Sequence, residues 1–306
     1  MKPDMSVRFA GMLLRNPIIA ASGTFGYGVE FEDVVSIDRI GGFVTKGLSL
    51  EPMAGNQAPR LIETQGGMIN AIGLQNIGVK AFIEKKLPAL RPHSGTACIA
   101  NVFGYEIRDY VGVIEALNHA PGIAAYELNA SCPNTQHGGM VFGTDTGILD
   151  QLVTRVKAVS RRPLIVKLSP NVTSIAQMAK CAENAGADAL SLVNTFLSLS
   201  IDIETRRPRI ANNTGGLSGP AIKPIAVRMV YEAAKAVRIP VCGLGGITTA
   251  EDAVEFLLAG ATAVQIGTAS YADPRAVQRI AESLERWVAR HHIPKLKDLI
   301  GAVQIN

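Results

Sequence analysis

Eight short runs rich in Val, Ile or Leu recur along the 306 residues, and this recurrence constrains the fold more than any other feature. They occupy 17–21, 42–46, 97–102, 124–128, 163–168, 189–193, 240–244 and 263–266. Near-continuous apolar runs suit strands buried on both faces of a parallel sheet. Between them, 107–118, 147–160, 174–185, 220–237, 250–259 and 274–290 carry apolar residues at helical spacing. Ser174 is a candidate N-cap, and Pro220 suits a first helical turn. Gly186 and Gly260 stand where helices should stop. Eight alternating units are the count of a closed barrel. A doubly wound sheet usually has fewer strands and often opens with GxGxxG. The first turn here reads Gly23-Thr24-Phe25-Gly26-Tyr27-Gly28, which does not match. The expected fold is α/β, a (β/α)8 TIM barrel with extended insertions after strands 2 and 6.

Those insertions are 47–80, Gly- and Pro-rich with extended runs at Arg60–Thr64 and Gly67–Ile72, and 195–219, with Arg206, Arg207 and Arg209. Long loops in compact domains are usually functional or disordered. Both follow strands, so both should emerge at the face where barrels hold their active sites.

Polar residues gather at the strand ends. Ser22 follows the first run, Lys46 ends the second and Asn101 the third. Asn129, Ser131 and Cys132 follow the fourth, Lys167 ends the fifth, and Asn194 and Thr195 follow the sixth. Burying a lysine without a partner is costly. Neither Lys46 nor Lys167 has an acidic neighbour in sequence, so an anionic ligand is the expected partner. Gly245-Gly246-Ile247-Thr248 and Gly267-Thr268, after the last two runs, have the form of a phosphate site of backbone N–H groups at helix starts. Spacing leaves open whether the phosphate belongs to a substrate or to a nucleotide cofactor such as FMN.

The four cysteines, Cys98, Cys132, Cys181 and Cys242, give no close pair, so neither a disulfide framework nor an iron–sulfur cluster is expected, and no metal site. Cys98, Cys181 and Cys242 fall within predicted strands or a helix and read as packing residues. Cys132 falls on a loop before Pro133 and is a candidate proton acceptor. His93, His119, His137, His291 and His292 lie in loops or at helix ends, and none is an obvious base. Charged residues make up 18% and the net charge is +4, scattered without a basic block. No nucleic-acid partner is expected. With no signal-peptide pattern or long apolar run, a cytoplasmic protein without membrane contact is expected.

Several segments together resemble the dihydroorotate dehydrogenase family, in its class 1B catalytic subunit, over nearly the whole chain. They are Ala21-Ser22-Gly23-Thr24-Phe25-Gly26-Tyr27-Gly28, Thr45-Lys46-Gly47, Asn70-Ala71-Ile72-Gly73-Leu74-Gln75-Asn76 and Asn129-Ala130-Ser131-Cys132-Pro133-Asn134. Leu50-Glu51-Pro52, Gly55–Arg60 and Gly138–Gly143 point to class 1B. The resemblance implies a single FMN-binding domain over 1–306 that oxidises dihydroorotate to orotate in pyrimidine biosynthesis. It makes Cys132 the base that takes the C5 proton, with hydride passing from C6 to flavin N5. It makes Lys46, Asn70, Ala71, Ile72, Gly73, Leu74, Asn129, Asn134, Asn194 and Thr195 the substrate site. It assigns Ser22, Lys46, Gly47, Asn101, Asn129, Lys167, Val193, Gly219, Gly245, Gly246, Gly267 and Thr268 to one FMN, with Lys167 beside N1 and C2=O. Asparagines, being donor and acceptor at once, suit a pyrimidine ring.

Class 1B further implies a separate iron–sulfur flavoprotein subunit carrying FAD and a [2Fe–2S] cluster, passing electrons to NAD⁺, with a homodimer of this chain inside a heterotetramer. Cys132 and the short N-terminus set the chain apart from class 2, which uses serine and a quinone-linked extension. The competing readings are a class 1A-like enzyme reducing fumarate, a flavin barrel acting on another pyrimidine such as dihydrouracil, and a flavin-free barrel for a sugar phosphate.

Overall fold

The computed structural model describes residues 3–90, 93, 95–131 and 142–306. Eight parallel strands close into the expected barrel: β1 (Ile18–Ala20), β2 (Gly42–Val44), β3 (Ala97–Val102), β4 (Ala125–Asn129), β5 (Leu164–Lys167), β6 (Ala189–Leu192), β7 (Val241–Leu244) and β8 (Ala263–Ile266). Each pairs with its sequence neighbours, and β8 returns to β1 through Val264↔Ile18, Gln265↔Ile19 and Ile266↔Ala20. Seven of the eight strands are buried along their whole length, and only the first residue of β3, Ala97, is partly exposed. Helices wrapped outside and side chains packed inside leave neither face to solvent, so the strands read as apolar runs.

The helices follow the sequence pattern closely. Ile107–Asn118, Thr146–Val159, Ile175–Asn184, Lys223–Ala236, Ala250–Leu258 and Ala276–Arg290 lie within a residue or two of the expected bounds, once a 3₁₀ turn at Pro220–Ile222 is joined to the fourth. Ser174 caps its helix, its Oγ accepting from Gln177 N at 3.3 Å. Gly186 and Gly260 carry the positive φ of a helix stop.

Three features depart from the expected pattern. After β1 no α-helix forms; two 3₁₀ turns, Val29–Phe31 and Ile37–Arg39, take its place. After β2 a helical stretch spans Val79–Leu90, with a π turn at Phe82–Lys86 just before Pro88. A proline inside an apolar repeat reads as a break, and the wider turn accommodates it. Before β1, Val7–Phe9 and Met12–Leu14 form an antiparallel hairpin turning on Ala10 and Gly11, both at positive φ. Its apolar stretch lacks the Asn-Gly signal of such turns, yet Val7, Phe9 and Leu14 are core residues.

The two insertions join in one structure. Leu61–Thr64 pairs with Gly67–Asn70, which pairs with Thr214–Ser218, which pairs with Phe196–Leu199, all antiparallel. A short hairpin, Ile201–Asp202 with Arg207–Pro208, extends beyond. It continues an exposed apolar row: Leu197, Leu199, Ile201 and Ile203, the last 82% exposed. No helix among the described residues is long and apolar enough to cross a membrane.

The helix after β7 shows how local chemistry sets a boundary. Thr249 caps it and Asp252 completes a capping box, accepting from the N–H groups of Thr248 and Thr249 while Lys223 sits 2.7 Å away. Burial alone would raise the Asp252 carboxyl; Lys223 and the threonine donors outweigh it and hold it down to about 2. Asp252 therefore stabilises the fold above the ordinary carboxyl range and loses that contribution as pH falls toward about 2. Asp252→Ala is expected to cost about 1–2 kcal/mol at pH 7. In thermal unfolding its gap from the parent chain should close between pH 4 and pH 2 (about the span over which the carboxyl protonates); a gap that stays constant would mean the ionised carboxylate is not its source.

Candidate active site

All eight strands point their C-terminal ends at one mouth, and a cavity of about 970 Å³ opens there beneath the insertion sheet. Residues from every strand end line it. Ser22 enters from β1, Lys46 and Gly47 from β2, Asn101 from β3 and Asn129 from β4. Lys167 enters from β5, Val193, Asn194 and Thr195 follow β6, Gly245 and Gly246 follow β7, and Gly267 and Thr268 follow β8. Gly219 and the segment Asn70–Leu74 complete the wall from the insertions. Every described residue that the resemblance assigned to substrate or FMN therefore lies on this one cavity. Cys132, Asn134 and His137, with the loop up to Val141, fall outside the described residues.

The insertion wall is held by backbone contacts. Asn56 N donates to Ile72 O at 3.0 Å, Asn56 Nδ2 to Ala71 O at 2.9 Å, and Ala71 N to Arg60 O at 2.8 Å. Arg60 is fixed in turn on Asn56 O and Gln75 Oε1. Its guanidinium is near enough to act on Lys46. Burial first, and the charge of Arg60 second, push the Lys46 ammonium below the ordinary lysine range, and Glu30 only partly opposes them. Among the described residues Lys46 has no ion pair, because Glu30 pairs with Lys86 at 2.8 Å. Two cations without a facing carboxylate leave an anion-seeking wall.

Asn129, Ser131 and Asn194 form a chain. Ser131 Oγ donates to Asn129 Oδ1 at 2.6 Å, and Asn194 Nδ2 donates to both Ser131 Oγ and Asn129 Oδ1. Thr195 N donates to Asn194 Oδ1 at 2.8 Å. Both amide oxygens are thus already in use, and Asn129 turns mainly its N–H donors to a ligand. Internal bonds thus fix which way these amides face.

One of the two glycine turns differs from expectation, whereas Gly267-Thr268 does open a helix, Ala269–Ala272. The helix after Gly246 is no anion site, since its own Thr249 and Asp252 occupy its first turn. The N–H groups of Gly245, Gly246, Gly267 and Thr268 nevertheless make no hydrogen bond within the described residues, and all four residues line the cavity. Gly246 has φ +76°, and a Cβ there would lie 2.7 Å from Gly219 O, so only glycine lets the two turns approach. The cradle is built from strand-end turns.

Lys167 overturns a second expectation. It does have an acidic partner: Glu127 on β4, fully buried, with Oε1 3.8 Å from Lys167 Nζ. Adjacent parallel strands bring together residues forty positions apart, which sequence proximity could not reveal. Glu127 was missed although it stands as a lone carboxylate inside an apolar run, and that was the available signal. Gln265, Tyr105 and Asn171 also line the cavity without having been singled out. Gln265 Oε1 is buried and takes no hydrogen bond among the described residues. Cys98 and Cys242 are fully buried, which pushes the Cys98 thiol up to about 12 and Cys242 well above the usual range, so both are packing residues as expected.

Comparison with known proteins agrees with this mouth. A family model described as dihydroorotate dehydrogenase matches residues 4–288. A protein of Solibacter usitatus named putative dihydroorotate dehydrogenase A (fumarate) is 59% identical over 304 residues, covering 99% of this chain and 100% of its own length. Proteins of Trichlorobacter lovleyi and Geobacter sulfurreducens, each named dihydroorotate dehydrogenase B (NAD(+)), catalytic subunit, are 57% and 55% identical over 304 residues, covering 99% of this chain and 100% and 99% of their own lengths. A cavity at the strand ends, with Lys46 on one wall and backbone donors on another, neither answered among the described residues, is thus found in a chain that belongs to the dihydroorotate dehydrogenase family of flavin-dependent oxidoreductases.

Proposed function

We propose that residues 1–306 form a single FMN-binding barrel domain, the cytoplasmic catalytic subunit of an NAD⁺-linked dihydroorotate dehydrogenase of pyrimidine biosynthesis. The observation that carries this is the convergence of the described site residues on one cavity. The cavity fits FMN by three features of its own. The free N–H groups of Gly245, Gly246, Gly267 and Thr268 suit its phosphate. The orphaned Gln265 Oε1 needs a donor. Lys167, 6% exposed, offers a fixed cation to the ring. When bound, FMN supplies a hydride acceptor.

The residues around it have definite tasks. Lys46 receives the carboxylate of dihydroorotate, with Arg60 strengthening the local potential. Asn70 and the backbone to Leu74 close over the ring, and Asn129 and the Thr195 hydroxyl donate to its carbonyl oxygens, with Asn194 holding both Asn129 and the Thr195 backbone in place. Asn134 joins them. Cys132 takes the C5 proton as hydride leaves C6, so the substrate gives up two electrons and two protons. Ser22, Gly47, Asn101, Val193 and Gly219 line the remaining cofactor wall. Lys167 offsets the negative charge that the site gains.

Electrons then leave through a separate subunit carrying FAD and [2Fe–2S], in a heterotetramer built on a homodimer of this chain. The relatives named as catalytic subunits support a partner, and the exposed row from Leu197 to Ile203 supports assembly. The relative named for fumarate favours a second reading, in which the chain works alone. Without a partner subunit, the purified chain should give no NADH from dihydroorotate and NAD⁺; co-purified with the flavoprotein subunit it should. Sustained fumarate reduction by the isolated chain would favour the second reading.

The purified protein should be yellow and bleach on anaerobic dihydroorotate. Cys132→Ala should keep the colour but slow bleaching at neutral pH by about 10²- to 10⁴-fold, the usual worth of a positioned base. A colourless protein sinks the flavin, and a fast-bleaching variant sinks Cys132.

Lys46 gives a pH signature. Its lowered titration means the cation is lost on the acid side of an ordinary lysine. KM for dihydroorotate should climb through that alkaline range. Lys46→Met should raise KM at pH 7 by about 10- to 100-fold, the worth of a charge-assisted hydrogen bond, and abolish the climb. A pH-independent KM in the parent enzyme would remove Lys46 from the carboxylate.

A further inference from the structure

Beneath the floor of the mouth lies a carboxylate that the dehydrogenase reading leaves without a task. Glu127 sits on β4 with no exposed surface. Its Oε1 accepts from Asn101 Nδ2 at 2.8 Å. Its Oε2 accepts from Ser191 Oγ at 2.9 Å and from Gln265 Nε2 at 2.6 Å. Lys167 Nζ stands 3.8 Å from Oε1. Donors from β3, β6 and β8 and a cation from β5 thus meet on one group. Asn101, Lys167 and Gln265 line the cavity, whereas Glu127 and Ser191 lie below it.

Stability does not account for this arrangement. Burying a charged pair is usually no better than filling the same volume with apolar side chains, and barrels normally fill their interior with branched apolar residues. The network has consequences at the surface above it. By taking Asn101 Nδ2 and Gln265 Nε2, the carboxylate fixes which way both amides face and leaves Gln265 Oε1 as the orphaned acceptor. By standing against Lys167, it offsets part of the positive charge buried in the floor.

We infer that Glu127 is a positioning residue that sets the reduction potential of the site, its buried carboxylate orienting Asn101 and Gln265 and offsetting the charge of Lys167 from below. The inference rests on the flavin reading above. Reduction adds negative charge at the mouth, Lys167 favours that charge, and Glu127 opposes it. The balance keeps the site reducible by dihydroorotate yet willing to pass electrons on. Removing the anion leaves Lys167 unopposed and moves the equilibrium toward the reduced form.

The test is the midpoint potential of the flavin-loaded full chain, read anaerobically by absorbance against a reference dye. Glu127→Gln should favour reduction by about tenfold, a rise of about 30 mV for a two-electron couple. Glu127→Asp, whose shorter carboxylate withdraws from Lys167, should shift it in the same direction by about threefold, and carries the test if the glutamine variant does not retain flavin. Glu127→Gln should raise the potential and Lys167→Met should lower it, a pair of opposite shifts that a general loosening of the barrel would not produce. An unchanged or lowered potential in whichever Glu127 variant holds flavin overturns the inference. Lys167→Met separates it from the reading beneath: full flavin occupancy with an unaltered potential would dismiss Lys167 from the cofactor altogether. A lowered potential there, with no response to Glu127→Gln in the parent chain, would dismiss Glu127 alone.

Discussion

Closure of the sheet is the constraint on which everything else depends. Once β8 pairs with β1, no strand edge remains in the barrel, and because the crossovers make all eight strands parallel, their C-terminal ends lie around one rim. Residues separated by most of the chain, such as Ala21 and Ile266, become neighbours for that reason alone. The apolar belt below the rim resists distortion because it is packed on both faces. Polar groups above it can therefore be held in fixed positions without stabilising the fold themselves.

Charge at the rim is arranged in two ways. On the insertion side, Lys46 lines the cavity with no ion pair among the described residues, and burial, with the charge of Arg60 behind it, lowers the Lys46 titration. That wall is incomplete until an anion arrives. On the floor, Lys167 is already answered by Glu127 and three neutral donors complete the shell. Among the described residues, one cation is left without a carboxylate partner, and the other has one. The hydrogen bonds from Ser131 and Asn194 to Asn129 work the same way, using up acceptors so that donors remain for a ligand.

Much of this was legible in the sequence because it was local. Two-sided burial writes strands as apolar runs, which is why all eight were found. Helix caps such as Ser174 declare themselves within four residues. Elements that were missed had weak local signals. The Val7–Leu14 hairpin turns on Ala10 rather than asparagine, and Val79–Leu90 contains a proline that a π turn absorbs. The two long insertions were recognisable as extended segments. Their union in one four-stranded sheet was not, since nothing near Gly67–Asn70 points to Thr214–Ser218.

The sequence by itself determined the barrel, the mouth and the residue types around it, because strand period, turn chemistry and motif spacing act over a few residues. Only the tertiary structure decided which polar groups are already spoken for. Lys167 looked like an unpaired cation until the neighbouring strand supplied Glu127, and the glycine turn before Ala250 looked like a helix-start anion site until Asp252 filled that helix's first turn. Partnership of that kind depends on distances across strands and turns in space, and those exist only after the sheet has closed.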